Sequence, residues 1–283
     1  MRALLAPVLA AALLLPAAAA AGPVQDGSRY LEGRSQPDGG FAEPGGRSTA
    51  GLTAWSVLGL RAAGVPASRL DEARRFLEQR AAELQSLTDA ELVLAALGSL
   101  GAPAPELVAR VRGARTAGGR IGPTVSSTIW GILALRAAGG PAPPGAARFL
   151  LRRQHRSGGW SWAVRGAPDS NDTAAAVMAL RATGLGVRNP AILRALRYLR
   201  RHQNRDGGFA LVAGRGSDAQ STAWAIQAFL AAKAKPGAAA RGYLLRLGRP
   251  DGSFRYSASY AVTPVWVTAQ VLPALAGRPL PLR

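Results

Sequence analysis

Three aspartates stand at the start of alanine-rich apolar segments: Asp89 in LTDAELVLAAL, Asp172 in DSNDTAAAVMAL and Asp218 in GSDAQSTAW. A carboxyl in such a place has two uses. Its oxygens can accept from the free N–H groups of a helix N-terminus, or, shielded from water, it can hold a proton and act as a general acid. Asp169, Asp172 and Asp218 are the candidate acids, and capping is the commoner use of such residues.

Four tryptophans, Trp55, Trp130, Trp224 and Trp266, begin similar segments, the first three each two residues after Thr53, Thr128 and Thr222. If the shared position puts them round one mouth beside Asp89, Asp172 and Asp218, they suit an apolar or cationic ligand through burial and cation–π attraction. The other outcome is that the indoles fill the space and leave little cavity. Trp160 and Trp162 read as packing residues. The chain has no cysteine, which removes thiol nucleophiles, thioesters and thiolate metal sites. Its two histidines, His155 and His202, are expected at equivalent outer-helix positions, supporting loops beside Gln154 and Gln203. No metal site and no cofactor is expected.

These residues are carried by a repeat. A glycine–aromatic phrase recurs as SQPDGGF, RQHRSGGW, HQNRDGGF and GRPDGSF, with a worn copy RTAGGRI, and its first glycines are read as Gly39, Gly118, Gly158, Gly207 and Gly252. Each phrase is followed by an apolar segment that starts at Ser, Thr, Asn or Asp and most often ends at glycine, such as LTAWSVLGLRAAG, which predicts a buried helix. The segment before each phrase is amphipathic: in AILRALRYLRRHQ, Ile192, Leu193, Leu196 and Leu199 form the apolar side and arginines the other. Such a helix lies outside. Between them, Gly207 and Gly208 permit positive φ, Gln203 can bond N–H groups of the next helix, and Phe209 packs beneath. The chain therefore reads as six units, about 23–66, 67–102, 103–141, 142–187, 188–235 and 236–283, the second having lost its phrase. Six pairs can close as a double ring, so the fold expected over 22–283 is all-α, an (α/α)6 toroid.

Residues 1–21 read as a cleavable signal peptide, with Arg2, an uncharged apolar run and Ala19 and Ala21 before Gly22, which predicts a secreted or cell-surface protein. The net charge of +19, almost all arginine, predicts contact with an anionic cell surface or membrane through the outer helices. Arginines scattered through every repeat, with no aromatic-laced basic stripe, argue against nucleic acid. Residues 256–277 run without a charge and are expected as a core helix that Pro264 and Pro273 interrupt, not a membrane span.

The repeats resemble the Q-x-x-x-G-G-W/F repeats of the terpene cyclase and protein prenyltransferase superfamily, whose fold is an (α/α)6 toroid. The resemblance covers essentially residues 23–283. DSNDTA, from Asp169 to Ala174, looks like the D-x-D-D-T-A motif of squalene-hopene cyclases, whose middle acid protonates an alkene or epoxide. The middle position here is Asn171, and an amide has no such proton to give. Full triterpene cyclases also need a much longer chain, while the zinc prenyltransferases need a cysteine. The resemblance thus implies a toroid that binds an apolar isoprenoid, lipid or corrinoid-like molecule, or a partner, without catalysis. A small class II terpene cyclase or isoprenoid-processing enzyme using Asp172 or Asp218, and a structural cell-surface protein, are the alternatives.

Overall fold

Every long apolar segment among the described residues is helical, and its start is set by an oxygen that takes up an otherwise free N–H group. The computed structural model describes residues 22–282; the leader expected over 1–21 lies outside them. Outer and inner helices alternate as α1 (Pro23–Glu32) with α2 (Ala50–Ala63), α3 (Asp71–Arg80) with α4 (Leu87–Ser99), α5 (Pro105–Gly113) with α6 (Val125–Ala137), α7 (Ala146–Arg153) with α8 (Ser170–Ala182), α9 (Pro190–Arg201) with α10 (Ala219–Ala231), and α11 (Ala238–Arg246) with α12 (Pro264–Leu275). Each even-numbered helix packs on the next, and α12 packs on α2, which closes the ring. The fold is the (α/α)6 toroid.

The inner helices bury nearly every face, as their unbroken apolar sequences require. The outer helices bury one stripe. In α9 that stripe is Ala191, Ile192, Ala195, Leu196, Tyr198 and Leu199, whereas Leu193, expected inside, faces solvent because it falls on the arginine side. The uncharged stretch 256–277 divides into a loop and the inner helix α12, and no helix among the described residues is long and apolar enough to cross a membrane.

The glycine phrase joins three elements at once. Gly207 has φ 88°, and a Cβ there would lie 2.6 Å from the carbonyl oxygen of Ala239 at the start of the next outer helix. Gly252 meets the carbonyl of Asp26 in the same way, so the last loop seals against the first helix. In the worn copy Gly119, not Gly118, takes the positive-φ place, with φ 86°, so that phrase is registered one residue later. The aromatic is buried and its N–H is held by the threonine four residues into the inner helix: Phe41 by Thr53, Trp160 by Thr173, Phe209 by Thr222, at 2.8–2.9 Å. Gln203 donates to the Gly207 carbonyl, and Gln154 to those of Gly158 and Ala191, so the glutamines serve carbonyls, not the expected N–H groups.

At the far end of the ring, arginines on the last turn of inner helices satisfy the carbonyls that helix ends leave free. Arg61 donates to Val65 and to Ser99 of the neighbouring α4. Arg181 repeats this with Leu185 and with Ala231 of α10. Part of the arginine excess is therefore structural.

Candidate functional site

Two residues after each loop-binding threonine, an inner helix points at the ring axis. The series is Trp55, Leu92, Trp130, Ala175, Trp224 and Gln270, with Ala90 in the threonine's place before Leu92. Large and small alternate, so three indoles can meet. Their ring centroids lie 5.5 Å (Trp55 to Trp130), 5.6 Å (Trp130 to Trp224) and 6.1 Å (Trp55 to Trp224) apart, edge-on or tilted, the favourable arrangement for aromatic quadrupoles. The Trp224 indole N–H is satisfied by Gln270 Oε1 at 2.8 Å. Trp130 and Trp224 are buried and Trp55 is half-buried, so of the four expected ligand-binding indoles these three pack on one another as a plug. Trp266 sits a turn nearer the mouth and is not their equivalent.

Above the plug, on the side of α2, α4 and α12, lies a cavity of about 690 Å³. Trp55, Leu52, Leu92 and Trp266 make its apolar wall, and Asp89, Glu43 and Arg47 its polar edge. The repeat explains its place. Long loops of later repeats cap the inner helix before them: the carbonyl of Trp162 takes N–H groups of α6, that of Leu211 takes one from α8, and that of Tyr256 one from α10. Glu43 does the same for α12, its carboxylate accepting from Val265 at 3.0 Å and Trp266 at 2.9 Å. The loops entering α4 and α6 are too short for this, and the mouth stays open over α2 and α4.

The acids divide by position. Asp218 and Asp169 are the capping residues of α10 and α8, accepting from Ser221 and Asp172 N–H at 2.7 and 2.8 Å. Asp172, expected as a cap, sits in the first turn, beside the Asp169 carboxyl and Ser126. Burial, then the neighbouring charge of Asp169, hold Asp172 well above the usual carboxylate range. Burial also raises Asp169 and Asp218. Asp89 is exposed, its Oδ2 taking a bond from the Ser86 cap. Asp218 borders a second cavity of about 440 Å³ with Tyr243, Tyr256 and Tyr260. Asn171 occupies the turn of α8 level with Ser126 of α6 and Gln220 of α10, one turn above the plug.

The histidines are not equivalent: His202 ends α9, stacked on Tyr198, whereas His155 follows Gln154 in the loop and bonds Ser157. Trp160 is buried, its indole N–H on the Leu150 carbonyl, but Trp162 is exposed, against its expected packing role. Among the described residues no three His, Asp or Glu side chains stand close enough together to hold a metal ion. Two acids escaped the sequence reading. Glu43 lies in a loop of no evident pattern, and Glu91 hides in an apolar run. Glu91 is fully buried in α4 against Gly131 of α6, with no hydrogen-bond partner for either oxygen, and burial pushes it up to about 9.

Residues 141–266 match the family model of the squalene-hopene cyclase C-terminal domain. The type II terpene cyclase MstE from Scytonema, solved in complex with geranylgeranyl dihydroxybenzoate as substrate, is 18% identical and superposes with a TM-score of 0.66 over 90% of this chain and 96% of its own. The chain has the terpene cyclase fold. A protein from Actinoplanes shares that fold at 21% identity and a TM-score of 0.63, over 90% of this chain and 98% of its own. A glycosidase does so at 11% and 0.65, over 91% of this chain and 97% of its own. No curated protein matches the sequence. At these identities the likeness is one of fold, and a terpene cyclase toroid also carries other chemistry.

Proposed function

We propose that the protein is an exported, non-catalytic toroid that binds one apolar molecule, isoprenoid- or lipid-like, in the open cavity over α2 and α4. The observation that carries this reading is the tryptophan plug. Trp55, Trp130 and Trp224, in mutual contact, occupy the ring axis where a folded polyprenyl chain would have to lie, and a cavity floored by Trp55 opens beside them. Its size falls in the range of small-molecule sites, and its indole and leucine walls reward apolar burial. Asn171 at the middle acid position supports the absence of cyclisation. Burial raises the Asp172 pKa, which favours its protonated form and at the same time makes it a weak donor to an alkene.

The competing reading, a small type II terpene cyclase using Asp172, draws on the likeness to MstE and on that same retained proton. Titration with geranylgeraniol separates them. Binding should quench or shift tryptophan emission with one site per chain, weaken about tenfold or more in Trp55→Ala, and return the alcohol unchanged. Cyclised product formed by the wild type and lost in Asp172→Asn would establish the enzyme instead.

A further inference from the structure

We propose that the loop-bearing end of the toroid docks on an anionic lipid surface, with its rim side chains in the interface. Seven large apolar side chains are exposed among the described residues, and five of them lie on three neighbouring loops at this end: Trp162 (60%), Leu211 and Val212, and Tyr260 (63%) and Val262 (54%). The loops are not loose. Each gives a backbone carbonyl, from Trp162, Leu211 or Tyr256, to an inner-helix N-terminus, which anchors the loop on the ring. Exposed apolar side chains gathered at one end of the ring mark an interaction surface.

Charge selects the partner. Loops 161–168 and 210–217 carry the exposed Arg165 and Arg215, loop 255–263 carries Arg255, whose guanidinium bonds the Ala258 carbonyl, and none of the three has an acidic residue. Indole, phenol and aliphatic groups interleaved with arginine fit the headgroup zone of an anionic leaflet, where the rings sit at the interface and the guanidiniums meet phosphate. Since no described helix is long enough to span, the contact is interfacial. Outer-helix arginines, the surface the sequence suggested, are less suited: Arg80, Arg153 and Arg246 lie over the protein's own Phe76, Phe149 and Tyr243 rings. The docked face is the one on which the mouth opens.

The test is co-sedimentation with vesicles of phosphatidylglycerol and phosphatidylcholine against phosphatidylcholine alone. The wild type should bind the anionic vesicles, and Trp162→Ser/Tyr260→Ser/Val262→Ser, checked for an unchanged melt, should bind on the order of tenfold or more weakly. Brominated lipid should quench wild-type tryptophan emission and lose most of that effect in Trp162→Phe, a variant that leaves the rest of the rim intact. Equal binding by the triple variant, no preference for anionic lipid, or attachment abolished by salt and untouched by the apolar substitutions would each overturn the proposal.

Discussion

Thr222 shows how one hydroxyl ties loop to core. It accepts from the buried Phe209 N–H and donates to the Asp218 carbonyl, and Thr53, Thr128, Thr173 and Thr268 hold the equivalent loop N–H groups. Thr222→Val keeps the shape and strands that N–H, so we expect a loss of about 1–3 kcal/mol in urea unfolding. Glu91 acts in the opposite sense. Its folded pKa stands far above its unfolded value, so the folded state holds a proton that the unfolded chain has released. Stability is then full below the unfolded pKa and is lost as pH rises towards about 9. Asp169, Asp172 and Asp218 shift the same way. Unfolding should be easier at pH 8 than at pH 5, and Glu91→Gln should flatten that slope by up to about 1.4 kcal/mol per pH unit. Wild-type stability rising over this interval would contradict the buried, unpaired carboxyl. The sequence made Asp89 visible as a helix-start acid but not Glu91, because a carboxyl two residues on in an apolar run has no signature until packing buries it.

At the scale of elements, the glycine loop and inner helix were legible because their constraints are local. Positive φ demands glycine, and a capped apolar segment demands burial. What the loop contacts was not legible, since the partner is the start of the next outer helix, some thirty residues away in sequence. Two substitutions separate the local from the long-range demand. Gly214→Ala meets only the cost of its φ of 81°, with no atom within 4 Å of the new Cβ, and should cost about 1–2 kcal/mol. Gly207→Ala adds a clash with the Ala239 carbonyl and should cost clearly more in the same assay. A similar cost for both would mean that the loop does not pack on α11 as described. The alternation of indoles with Leu92, Ala175 and Gln270 was likewise written in the repeat, yet only closure of the ring turns it into a plug.

For the whole molecule, repeat decay and the proposed site meet in one place. Where the loops entering α4 and α6 are short, the mouth opens; where later repeats keep long loops, they cap helix starts and carry the apolar rim. A sequence reading finds the lost phrase but not that its loss uncovers a cavity between Trp55 and Trp266. In the function we propose, this cavity is the site and the plug is what prevents cyclisation. Native mass spectrometry of the mature chain from its own host tests that most directly. The account predicts one apolar molecule per chain, released on denaturation, and unchanged geranylgeraniol when that alcohol is added to the emptied protein. An empty chain that also leaves the added alcohol unbound, or its conversion to a cyclic product, would contradict it.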